Sequence, residues 1–162
     1  MMSETIVPSS SVKHKGTLDL RRMYQSLWGW LEAEGYKIQE KQYGERVKPE
    51  GKTYEINWEA TRTEEDYFTY TITVSLYITG LQKVETEHNG ERMTLDSATY
   101  EIKLSGTLAR NVTNEWNEGS FMFRFYEGRV IPDRIEAHRI EMYENVMSLL
   151  SEVKTFLHVY QF

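Results

Sequence analysis

The 162-residue chain contains no cysteine, which excludes disulfides, thiol catalysis and thiolate metal sites. Long apolar runs are missing too: none approaches the ~20 residues that a membrane-spanning helix needs. Met1 to Ser11 has no basic region followed by an apolar run, so no signal peptide is expected and the chain reads as soluble and cytoplasmic. It lacks Gly-x-Ser-x-Gly, HExxH and a Gly-rich phosphate loop, which leaves nucleophilic catalysis, a helical zinc site and a phosphate cradle without a foothold. Basic residues form no run. With a net charge of -6 and a pI of about 5.3, no general affinity for nucleic acid or anionic membrane is implied. Asn111-Val112-Thr113 matches the glycosylation sequon, and without a secretory signal it is read as a chance match.

What is present is apolar and aromatic. Hydrophobic residues make up 40% and aromatic residues 13%, which suits one well-cored domain over 1–162 that buries roughly 70% of its unfolded surface. Residues 1–15 read as a polar arm, or as an edge strand over Val12 to Lys15. Thr17 or Asp19 can cap a first helix, in which Leu20, Met23, Tyr24, Leu27, Trp30 and Leu31 recur at helical spacing. Gly35 stops it.

From Tyr36 the period changes to two. Tyr36 and Ile38 begin one strand. After the Pro49-Glu50-Gly51 turn, Tyr54, Ile56, Trp58 and Ala60 share one face of a second. Beyond Glu64-Glu65-Asp66, Phe68, Tyr70, Ile72, Val74, Leu76 and Ile78 alternate with Thr69, Thr71, Thr73, Ser75 and Tyr77. Such strands bury one face only, which predicts an antiparallel sheet covered on one side. Asn89-Gly90 predicts a hairpin turn. The return strand carries Tyr100, Ile102, Leu104 and Leu108 inward, with bends expected at Gly80 and Gly106. Over 121–130 the pattern fits strand or helix; a helical turn after Ser120, broken at Gly128, is favoured.

Pro132 to Phe162 reads as one long amphipathic helix. Met142, Val146, Leu149, Val153, Phe156, Leu157 and Tyr160 fall within about 60° of Ile135 at 100° per residue, and Glu141, Glu144, Ser148, Glu152, Thr155 and Gln161 fall opposite. Ile140, Tyr143, Met147 and Leu150 widen the apolar arc to roughly 200°, more than the ~100° needed to cover a sheet. The first helix with Trp28, a subunit interface or a hydrophobic ligand cavity could cover that flank, and these four residues are the candidate interface or ligand contacts. The expected fold class is α+β: a curved antiparallel sheet covered by an N-terminal helix and a long C-terminal helix.

Catalytic, cofactor-binding and metal residues are not expected. His138 and Glu141, at i, i+3, could share a metal, but no second ligand pair supports it and an exposed surface is the expectation. His88, among Glu85, Glu87 and Glu91, reads as a solvated hairpin tip. A buried carboxylate can serve as a general acid, and Glu40, following Tyr36 and Ile38, is the one carboxylate in line with inward residues.

The order helix, antiparallel strands, long C-terminal helix resembles the helix-grip architecture of the START and Bet v 1-like proteins. That resemblance implies a curved sheet round the last helix and often an enclosed hydrophobic ligand. Two features depart from it: one helix stands where a pair of short ones is usual, and no Gly-rich loop separates early strands. Lys15-Gly16-Thr17-Leu18-Asp19-Leu20, Tyr24, Trp30-Leu31 and Gly35-Tyr36, with Glu40-Lys41-Gln42-Tyr43 and Lys154-Thr155-Phe156-Leu157, are also similar to a group of uncharacterised archaeal proteins, which implies no chemistry. The leading functional expectation is a non-enzymatic protein-binding or self-assembly module, a homo-oligomer among the options, using the flank of the last helix or a sheet edge. The alternative is a small hydrophobic-ligand carrier with a pocket between sheet and C-terminal helix, and an enzyme on that cavity is a third. Neither nucleic acid nor a membrane span enters the expected partners.

Overall fold

A computed structural model describes residues 1–159, apart from the side chain of His88. Tyr160, Gln161 and the His88 side chain, each assigned a place above, lie outside the described residues. Five strands, β1 (Met2–Leu18), β2 (Lys37–Lys48), β3 (Gly51–Glu64), β4 (Phe68–His88) and β5 (Glu91–Arg110), form one antiparallel sheet. Its order is β1-β5-β4-β3-β2, so the first strand pairs with the last and the sheet is otherwise a meander. Helix α1 (Leu20–Ala33) joins the two edge strands, and α3 (Pro132–Val159) closes the chain.

The period-two pattern sets the layers. Ile56, Trp58 and Ala60 of β3, Phe68 to Ile78 at alternate positions of β4, and Tyr100, Ile102, Leu104 and Leu108 of β5 are buried in one core with both long helices. Thr73, Tyr77 and Lys103, on the other face, are exposed. Turn chemistry fixes the register: Asn89 and Gly90, at φ +53° and +79°, make the hairpin turn, and Glu65 and Asp66 also take positive φ. At Gly80 the register slips, with Thr79 opposite Thr99 but Gln82 opposite Ser97. That bulge bends β4 as expected.

The residues before Lys15 are not a loose arm. β1 runs from Met2, with irregularities between Thr5 and Ser10 around Pro8. An edge strand pairs on one side only, so it tolerates a proline and three serines that would be costly in the sheet centre. Over 121–130 the chain is helical, as favoured: Ser120 Oγ accepts from Phe123 N at 3.1 Å and caps α2 (Phe121–Phe125). Gly128 does not break the rod, which continues as a π-helical turn over Tyr126–Val130.

On α1, Asp19 Oδ1 accepts from Arg22 N at 3.1 Å, and Met23, Leu27 and Leu31 face the core. Its indole Trp28 and phenol Tyr24 meet the buried Trp58 edge-on at 5.3 and 4.9 Å. On α3, Ile135, Met142, Val146, Leu149, Val153 and Leu157 are buried. The stripe presses hard on β5: a Cβ added to Gly106 would lie 2.6 Å from Val146 Cγ2 and 2.8 Å from Met142 Cε. Gly106 is therefore a contact point for α3, and its pairing with Ile72 across β4 is regular.

Candidate ligand site

A cavity of about 500 Å³ opens between α1 and the covered face of the sheet. Five elements build it. Leu20 from α1, Ile56 from β3 and Leu81 from the bulged part of β4 give it an apolar floor, and Tyr24, Tyr43 and Tyr54 supply aromatic wall. Tyr43 and Tyr54 meet edge-on at 6.2 Å. Arg21, Lys52 and Lys83 line it together with one carboxylate, Asp96.

Asp96 organises the polar end. It stands in phase with Ala98, Tyr100 and Ile102, so its side chain points inward, and the residue is only 4% exposed. Its Oδ2 accepts from Leu20 N at 3.0 Å, satisfying an otherwise orphan donor in the first turn of α1, where a negative charge is favoured. Oδ1 lies 2.6 Å from Lys83 Nζ, as an ion pair rather than a well-aligned hydrogen bond. The Asp96 carbonyl accepts from the Tyr100 hydroxyl at 2.8 Å. Burial, then the Asp96 charge, pushes the Tyr100 phenol well above its ordinary range.

The opposite wall is tied to the aromatic cluster. The Tyr24 hydroxyl donates to Glu40 Oε2, and Trp58 Nε1 donates to the same oxygen at 3.0 Å. Burial and the Glu40 carboxylate push the Tyr24 phenol up to about 12. Glu40 does turn towards the inward residues, in regular register with Ile38 and opposite Trp58, and the β2 bulge that follows it brings Tyr43 opposite Ile56. It remains exposed, so the burial that a general acid would need is not met. Lys52 pairs with Glu45 at 3.1 Å, and that hydrogen bond raises the ammonium. Arg21 is exposed at the rim with no ion pair among the described residues. The site thus offers apolar surface, phenols and cationic side chains. Phenols held above their ordinary pKa are poor proton acceptors near neutrality.

Of the pair expected to be exposed, Glu141 is exposed and His138 is not. The His138 ring stacks on Phe68 at 4.0 Å, and its side chain is only 12% exposed. Its Nδ1 bonds the Tyr70 hydroxyl at 2.5 Å, and that hydroxyl donates to Glu141 Oε2 at 2.8 Å. Glu141 also pairs with Arg62 at 2.8 Å, whose guanidinium lies over Tyr70 and Tyr36. These groups form a clasp that fastens the first turns of α3 to β3 and β4. Among the described residues no three His, Asp or Glu side chains are grouped to hold a metal. Asn111, the sequon asparagine, is fully buried and its Nδ2 donates to Trp116 O at 3.0 Å, a position closed to a glycan.

Of the four flank residues, Ile140 and Tyr143 are about half exposed, while Met147 and Leu150 are partly buried against the core. None of the four lines the cavity beneath α1. The cavity itself escaped sequence reasoning because its walls come from α1, β2, β3, β4 and β5, which no single periodicity joins. One signal was readable: Asp96 shares the parity of Ala98, Tyr100 and Ile102, yet Asp96-Ser97 resembles a turn. Comparison with family models, with curated proteins and with solved structures gives no match to this chain.

Proposed function

We propose that this chain is a non-enzymatic binding protein for a small amphiphile with an apolar or aromatic body and an anionic head. The observation that carries this reading is the cavity of about 500 Å³ beneath α1, with its apolar floor and three lining cations against one carboxylate. Its size falls in the ~300–1,000 Å³ range of ligand sites, which bury an apolar body and orient it with a few polar groups. Asp96 is engaged by Leu20 N and Lys83, and Lys52 by Glu45, so Arg21 is the rim cation left to meet an incoming anion, with Lys52 beside it able to exchange partners. The helix-grip relation stays a proposal alongside it, since that architecture leads one to expect the same ligand class.

The test is a titration with a naturally fluorescent long-chain fatty acid. Saturable one-to-one binding supports the reading, and replacing Arg21 or Lys52 by Glu should weaken it about three- to tenfold, the scale of a solvated charge contact. Absence of saturable binding by long-chain and aromatic carboxylates overturns it.

A second reading is self-assembly through the flank of α3. The half-exposed Ile140 and Tyr143 favour it, because apolar groups side by side on a helix face are better covered than solvated.

A further inference from the structure

We propose that residues 121–130 form a docking patch for an anionic bilayer surface, which the rest of this acidic molecule would not bind. The segment is one helical rod, α2 followed by the π-helical turn, and its side chains divide sharply by direction. Three turn inward and anchor it. Phe123 is buried, Tyr126 stacks on Trp116 at 4.5 Å, and Glu127 accepts from the Tyr67 hydroxyl at 2.6 Å while pairing with Arg110 at 3.6 Å.

The outward set is apolar and basic. Phe121, Met122, Phe125 and Val130 are 75, 67, 53 and 58% exposed, which is far from ordinary for large side chains lying together on one short segment. The Phe121 and Phe125 rings stack at 6.4 Å. Arg124 and Arg129 border them in a shallow groove, exposed and without a carboxylate partner among the described residues. The segment's one acid, Glu127, is turned inward and neutralised by Arg110. What faces solvent is therefore two aromatic rings, two aliphatic side chains and two guanidinium groups.

That combination fits a lipid headgroup region better than a protein surface of this chain's own character. Aromatic and aliphatic side chains enter the acyl boundary, and guanidinium groups pair bidentately with lipid phosphates. Charge decides the orientation. With a net charge of -6 overall, an anionic bilayer repels the body and attracts only this local patch. Among the described residues no helix is long and apolar enough to cross a membrane, so the contact is interfacial. The patch lies near Tyr67 and Arg110, at the end of β4 and β5 opposite Leu81 and Asp96, so it is independent of the cavity.

Co-sedimentation of the full chain with phosphatidylcholine vesicles, with and without phosphatidylserine, tests this. Binding is expected only with phosphatidylserine and should weaken as salt rises. Arg124→Glu with Arg129→Glu, and separately Phe121→Ser with Phe125→Ser, should each lower partitioning at least about tenfold. These positions are exposed, so thermal unfolding should be unchanged. Failure of the wild type to bind, equal binding to neutral vesicles, or equal binding by the folded variants overturns the proposal. So does a result in which the variants alter only the mass seen by light scattering, which would assign the patch to a second copy.

Discussion

Gly106 and Gly51 are small for different reasons. At Gly106 the obstacle is the α3 stripe, with Val146 Cγ2 and Met142 Cε inside contact distance of any added Cβ. Met142 can swing aside, but the branched Val146 cannot, so Gly106→Ala should cost about 1–3 kcal/mol by overpacking. Chemical denaturation checks it, and an unchanged midpoint would mean that α3 does not lie as described. At Gly51 the obstacle is backbone: φ is +131° and an added Cβ would meet Gly80 C at 2.7 Å and Leu81 O at 2.8 Å. That close approach also sets the cavity wall, because Lys52 and Leu81 both line it. Single residues were only partly legible in the sequence. Asp19, Gly35 and Asn89-Gly90 declare themselves by turn and cap chemistry, whereas Gly106 gives no sign that a helix 36–40 residues later lies on it.

Elements were legible where one periodicity spans their whole length. α1, α3 and the alternating parts of β3, β4 and β5 repeat an apolar residue every 3.6 or 2 positions, and each lies as that repeat predicts. β1 was illegible because an edge strand needs few inward apolar groups: of its seventeen residues, only Val7 and Leu18 are buried. Its N-terminal part is fastened by side chains from elsewhere, as in the 2.5 Å bond from Arg139 Nε to Glu4. On the apolar flank of α3, Met147 and Leu150 pack partly against the core, while Ile140 and Tyr143 remain half exposed. If that flank joins two copies, Ile140→Lys with Tyr143→Glu should abolish a concentration-dependent oligomer seen by light scattering while shifting stability by less than about 0.5 kcal/mol per site. A wild type that is strictly monomeric at all concentrations would exclude the second reading.

For the whole molecule, averages hide what matters. A net charge of -6 says nothing of the three cations round one cavity or of the two beside Phe121 and Phe125, because those groups are assembled by the fold. The phenols make a molecular property of a different kind. Burial raises Tyr24, Tyr36, Tyr54, Tyr67, Tyr70 and Tyr100, with Tyr24 at about 12. An acid whose folded pKa lies above its unfolded value stabilises the fold fully below the unfolded value, and that stability is lost as pH rises through the folded one. Stability should therefore hold to about pH 10 and decline from there through 12 and above. A spectrophotometric titration should show these phenols ionising late and together with unfolding; eleven phenols titrating near pH 10 in an intact fold would contradict it.

The central claim is that the space beneath α1 holds an amphiphilic anion. Leu20 is half-buried and lines that space from the first turn of α1, so Leu20→Trp should fill it without disturbing the buried α1 face of Met23, Leu27 and Leu31. The decisive measurement is fatty-acid affinity in the wild type and in Leu20→Trp, with circular dichroism as the control for folding. Saturable binding by the wild type, weakened at least about tenfold in the folded variant, is the predicted result. Equal affinity in both would place the ligand elsewhere and contradict the account.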